Sequence, residues 1–151
     1  MMREQLNQAL KDKMREKDSN AVSTLRLILA ALKDRDIAAR SKGEMDGIGD
    51  SDILQMLQTM VKQRRDSIQM YEQGGRAELA AKEQAEIDVI ETFLPKQMNE
   101  DEMKEAISTL IEELGASSLK DMGNVMGAMR ERFAGQMDFG KASGLVKTLL
   151  A

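Results

Sequence analysis

The chain has 151 residues, 42% of them hydrophobic and only 3% aromatic, with 22 basic and 26 acidic side chains giving a formal net charge of −4. That length closes one modest core or two small ones, and with no Trp, one Tyr and three Phe the core must be aliphatic, which favours helix over sheet. The absence of Cys and His removes disulfides, zinc fingers, Cys nucleophiles, Cys–His pairs and the Ser-His-Asp arrangement, leaving only chemistry run by carboxylates, Lys, Tyr or an oxygen-ligated metal.

Taken in order, Leu6, Ala9, Leu10 and Met14 recur at helical spacing and predict a first helix from about Arg3 to Lys17. Asp18, Ser19 or Asn20 can cap a second helix. Its inward face is Val22, Leu25, Ile28, Leu29 and Leu32; it continues through Ile37 and fades near Lys42 and Gly43. Gly43 to Gly49, with three glycines, is the clearest loop of the first half. Asp50 or Ser51 then caps a long helix with the stripe Ile53, Leu54, Leu57, Met60, Val61, Ile68 and Tyr71, and Gly74 and Gly75 stop it. A fourth helix runs from Arg76 to about Phe93, with Leu79, Ile87, Ile90 and Leu94 facing inward, and Pro95 ends it.

After Pro95, Asn99 restarts the chain as a cap, with Glu100, Asp101 and Glu102 complementing the positive helix end. Met103, Ile107, Leu110 and Leu114 face inward, and Gly115 ends this helix. Ser117 or Ser118 caps the next, which reaches about Phe133, and Asp138 or Phe139 opens a last helix ending in Leu149 and Leu150. The expected architecture is all-α: a four-helix, bundle-like domain over residues 1–95 and a small three-helix domain over 96–151.

The longest apolar run, Leu27 to Leu32, is too short to span a bilayer, and no charged leader with an apolar core opens the chain, so the expectation is a soluble cytoplasmic protein. Charge is unevenly spread. Lys96 to Leu114 holds two basic and six acidic residues, whereas Gly115 to Ala151 holds five basic (Lys120, Arg130, Arg132, Lys141, Lys147) and three acidic ones. The last third is the better anion-binding candidate.

Three segments resemble the YqeY family in order and separation: TLRLILAALK from Thr24 to Lys33, KQRRDSIQMYEQGGRAELAAKEQAEIDVIETFLPKQM from Lys62 onward, and MGNVMGAMRERFAGQMDFGKASGLVKTLL near the carboxyl end. One departure is at Gly135 to Phe139, where the family usually has a basic residue followed by Ala-Asp-Gly; here the stretch reads Gln136-Met137-Asp138-Phe139, and the basic charge lies further on, at Lys141. The family is similar to the helical and tail regions of the B subunit of tRNA-dependent amidotransferases, which contact tRNA while other domains activate and transfer the amide. The resemblance implies a free-standing, tRNA-facing, non-catalytic module, without cofactor or metal. A family label of carbon–nitrogen ligase with glutamine as amide donor comes with it, and an amidotransferase-like enzyme is the second reading. A helical protein-interaction module, docking on an aminoacyl-tRNA synthetase or another partner through a Met-rich surface, is the third. Neither a membrane nor DNA is among the expected partners.

The residues sort accordingly. Lys62 and Arg65 lie on an exposed face and suit either solvent or an RNA phosphate, while Arg64 falls inside the apolar stripe and is expected to pair with Glu83 or Glu86. Gly123 and Gly127, like Gly140 and Gly144, are four apart on one helix face; each costs about 1 kcal/mol relative to Ala. They are expected to permit close helix-to-helix approach, with a bare surface for an RNA backbone as the functional alternative. Met122, Met126 and Met129 follow the helical period as core. Arg130, Lys141 and Lys147 are the principal phosphate candidates, read by shape and charge rather than base identity.

Overall fold

The computed structural model describes every residue from Met1 to Ala151, and all of its regular structure is helical. The chain divides after Leu94 into two compact units, Met1–Leu94 and Pro95–Ala151. The first holds α1 (Met2–Glu16), α2 (Ser19–Ser41), α3 (Asp50–Gln73) and α4 (Ala77–Glu91); the second holds α5 (Glu100–Leu114), a 3-10 turn (Leu119–Asp121), α6 (Met122–Arg132) and α7 (Phe139–Leu150).

Local chemistry sets the helix ends of the first unit. Lys17 closes α1 in the left-handed conformation, φ 59°, with its N–H donating to Lys13 O and Met14 O. The next residue, Asp18, caps α2 by accepting from Ala21 N at 3.1 Å, so the two helices fold back on each other almost without a loop. Gly75, at φ 71°, turns the chain between α3 and α4. These elements enclose Leu6, Leu25, Ile28, Leu32, Ile53, Met56, Leu57, Ile87 and Ile90. The second unit closes separately around Met103, Ile107, Leu110, Val125, Met129, Met137 and Val146.

The structure corrects several placements. Leu114 is not inward but 45% exposed, and Met14 and Ile37, which follow the helical period of α1 and α2, are each 51% exposed. In α2 the inward row Leu25, Ile28, Leu32 continues in helical phase to Asp36 and Ala39, which leaves Ile37 on another face. Leu114 is the last residue of α5, where the chain already turns away at Gly115. Gly49, not Asp50 or Ser51, is the cap of α3, because the Asp50 carboxylate accepts instead from Met2 N at 3.2 Å. Met56, absent from the expected stripe, is fully buried.

Asp36 takes a core position because Arg3 meets it there. Arg3 Nη2 donates to Asp36 Oδ1 at 2.7 Å and Nε to Oδ2 at 3.3 Å, a two-pronged contact. The same Nη2 also donates to Ile48 O at 3.0 Å, and Ile48 N donates to Asp36 Oδ1 at 2.9 Å. One carboxylate therefore joins α1, α2 and the loop entering α3. Gly47, at φ 83°, belongs to this clamp, since a Cβ there would sit 2.3 Å from Asp36 Oδ1.

Burial pushes the Asp36 carboxyl up, but the Arg3 guanidinium, the Ile48 N–H and the nearby Arg40 charge together outweigh it and hold the group below its ordinary value of 3.8. A carboxyl depressed in the folded state contributes stability above its unfolded value, and that contribution disappears as pH falls through the folded value. Asp36→Asn should therefore cost about 2 kcal/mol at neutral pH. The gap from the parent should narrow below about pH 4, as read by denaturant melting across pH.

Candidate nucleic-acid interface

In the second unit side-chain acceptors start α5 and α7 and order the turn before α6, whose own first amides have no side-chain cap. Asn99 accepts from Glu102 N at 2.8 Å while Glu102 accepts from Asn99 N at 3.2 Å, a reciprocal box that starts α5. Asp121 Oδ2 accepts from Ser117 N at 2.9 Å and Ser118 N at 3.3 Å, organising the turn into α6. Asp138 Oδ1 accepts from Gly140 N at 2.8 Å and Lys141 N at 3.3 Å at the start of α7. The chain's own carboxylate thus occupies the helix amides that would otherwise attract a phosphate. Anion binding at α7 has to come from side chains along the helix.

With Val125, Met126 and Met129 buried, Gly123, Gly127 and Arg130 lie together on an exposed flank of α6, beside Asn124 and Glu131. With Ala142, Val146 and Leu150 buried, the outer side of α7 carries Gly140, Gly144 and Lys147. Both helices therefore show the same order, a glycine, a second glycine four residues on, and a cation three beyond that, on an exposed face. Lys141 adds to it: on α7 it and Lys147 lie about 60° to either side of Gly144 around the axis.

The expected role of these glycines in close helix packing is corrected. A Cβ built at Gly123, Gly127 or Gly144 meets nothing within 4 Å, and at Gly140 it meets only the capping Asp138 Oδ1 at 3.1 Å. No neighbouring helix needs their smallness. Arg130, Lys141 and Lys147 are exposed and engage in no ion pair, whereas Arg132 is held by Glu113. Glu131 on α6 and Asp138 beside α7 oppose anion approach.

In the first unit Arg64 Nε donates to Glu86 Oε2 at 2.8 Å and lies 4.0 Å from Glu83, while a second guanidinium nitrogen donates to Met60 O at 3.2 Å. Arg65, more than half exposed, donates to Glu91 at 2.8 Å, and Lys62 is exposed on the same helix. Neutralised by Glu91, Arg65 offers less to a phosphate than the cations of the second unit. No group of three or more acidic side chains is placed to hold a metal ion. The buried polar side chains are Thr24, Asp36 and Glu86; Thr24 donates to Asn20 O, and the other two hold Arg3 and Arg64.

The sequence profile of the family described as Yqey-like protein matches residues 3–150. The chain belongs to the YqeY family. Among curated proteins it is 37% identical over 89 residues to "Altered inheritance of mitochondria protein 41, mitochondrial" of Eremothecium gossypii, a match covering 59% of this chain and 46% of that protein. With the Lachancea thermotolerans protein of the same name it is 31% identical over 115 residues, covering 75% and 59%. With that of Pyrenophora tritici-repentis it is 29% identical over 129 residues, covering 84% and 68%. This YqeY chain spans about half the length of the first two relatives. Their names overturn the cytoplasmic expectation, since all three are given as mitochondrial. Composition could not have drawn that distinction. A cysteine-free helical chain suits any reducing aqueous compartment, and an address is read by import machinery rather than by the fold.

Two measurements check the site's geometry. Arg64→Ala strands the largely buried Glu86 and should cost about 3 kcal/mol, against less than about 1 kcal/mol for Arg65→Ala; equal losses would contradict the placement. Gly127→Ala and Gly144→Ala should each stabilise the YqeY chain by roughly 1 kcal/mol, because the added methyl enters open space on a helix. Destabilisation of either variant in thermal melting would restore the close-packing reading.

Proposed function

We propose that this YqeY chain is a non-catalytic accessory that binds tRNA through the outer faces of α6 and α7. The observation that carries the reading is the doubled glycine, glycine, cation order on those faces. An exposed glycine in a helix is unfavourable by about 1 kcal/mol, and nothing within the chain offsets it. A partner that must approach the helix backbone closely does offset it, and a sugar-phosphate strand running along the ridge meets a cation at its end. The +2 balance of this region within a chain of net charge −4 gives the face its local attraction. Similarity of the family to the tRNA-contacting tail of amidotransferase B subunits points to the same ligand. An amidotransferase-like activity has less support, because the buried polar side chains are committed to structural pairs.

Recognition of this kind is electrostatic and shape-based, so affinity should fall with salt at a log–log slope of about 0.7 to 0.9 per neutralised phosphate. Combining Arg130→Ala, Lys141→Ala and Lys147→Ala should weaken binding to total cellular tRNA and reduce that slope by about 2 to 3, with helical content unchanged. A triple variant that binds as the parent does moves the face elsewhere, the patch of Lys62 and Arg65 being next to test. A parent without tRNA binding even at low salt would instead favour docking on a synthetase or another helical protein.

A further inference from the structure

The outer side of α2 carries a second surface that the RNA reading does not use. Ser23, Leu27, Ala30, Asp34, Ile37 and Ser41 are all exposed and follow one another at spacings of four and three, a straight seam opposite the buried row Leu25, Ile28 and Leu32. That alternation is what a helix presents to another helix packed nearly parallel or antiparallel to it. The seam is also symmetric about position 32: Leu27 and Ile37, Ala30 and Asp34, and Ser23 and Ser41 form pairs equidistant from it. The six most exposed large hydrophobics of the first unit are Met1, Met14, Leu27, Ile37, Met45 and Met70, and four of these lie on the seam or at its ends.

The two ends of the seam are complementary. At the amino-terminal end, α1 and α2 form an open groove of about 640 Å³ with Met14, Val22 and Leu27 as its apolar part and Lys17 and Arg26 as its charged part. Neither cation has an ion pair within the chain. Lys17 is also the one non-glycine residue with positive φ, a position where Gly would be less strained. At the other end, the loop after α2 holds Met45, 72% exposed, between Glu44 and Asp46, which are likewise without ion pairs. This tip is fixed: Arg40 Nε donates to Met45 O at 3.2 Å and Gly47 N to Glu44 O at 3.1 Å.

We infer that the outer face of α2 is a homodimer interface, with the α2 helices of two copies antiparallel about a two-fold axis near position 32. In that register Leu27 of each copy meets Ile37 of the other, and Ala30 meets Asp34. The axis also carries the Glu44-Met45-Asp46 tip of each copy toward the groove of the other. Met45 supplies an apolar side chain to Met14, Val22 and Leu27, and its flanking carboxylates face Lys17 and Arg26. Each patch contacts its counterpart twice, as an isologous interface requires. Two 23-residue helices meeting along about 34 Å, with two small knobs, make a modest contact, so the dimer should be in reversible exchange with monomer.

The chain has no cysteine, so introduced thiols are the only ones present. Leu27→Cys and Ile37→Cys are made separately in the full chain, and each alone and their equimolar mixture are mildly oxidised. The inferred register predicts a disulfide-linked dimer in the mixture and little in either variant alone. Sedimentation equilibrium of the parent should show a concentration-dependent dimer. Lys17→Gly combined with Arg26→Glu, which removes or reverses groove charge at exposed positions, should weaken it about tenfold or more with the melting transition retained. A parent that stays monomeric at every concentration overturns the inference. So does a dimer whose cross-linking is no greater in the mixture than in the single variants.

Discussion

A carboxylate withdrawn from water must be met by a cation, and the first unit is arranged around two such meetings. Its core is aliphatic and therefore non-directional: Leu, Ile and Met side chains would tolerate several helix registers. Arg3 with Asp36, and Arg64 with Glu86, tolerate far fewer. The first pair ties α1, α2 and the entry to α3 at one carboxylate, and the second joins α3 to α4. Everything presented on that unit's surface inherits its position from these two contacts, including the groove between α1 and α2 and the Met45 tip.

The second unit achieves its definition differently, through caps. Asn99 and Asp138 accept from backbone amides at the starts of α5 and α7, and Asp121 accepts from those of Ser117 and Ser118 in the turn before α6, so the short helices around a small Met-rich core begin at fixed places. The capping carboxylate of Asp138 also closes the α7 amides to an incoming anion, leaving cations and bare backbone along α6 and α7 as the available surface. Helical glycines with open space at the Cβ position lower the stability of a unit with little to spare. Such a cost, repeated with the same spacing on two helices, is more readily explained by what must reach the surface than by what lies beneath it.

Much of the fold was legible because the signals are local. Helical period, the capping residues Asp18, Asn99 and Asp138, and the glycine pair after α3 act within a few positions of themselves. Asp36 was not legible, because a charged side chain is assigned to solvent unless its partner is known, and Arg3 is 33 residues away. The phase of the row Leu25, Ile28, Leu32 did point to position 36, and the same phase puts Ile37 outside. The glycines were found in sequence but assigned to packing, since spacing says that two residues share a face without saying what the face meets. The order of two glycines and a cation on both α6 and α7 was present in the sequence throughout. Only burial showed that both copies point outward.

The claim that the glycine ridges are where RNA lies is most directly tested by titrating the isotopically labelled full chain with tRNA at low salt and following glycine amides by NMR, where they are well separated. Gly123, Gly127 and Gly144 should shift or broaden with the backbone amides of Arg130 and Lys147, while Gly43, Gly49, Gly74 and Gly75 should not. Perturbation confined to the α3–α4 glycines, with those of α6 and α7 unmoved, would contradict it.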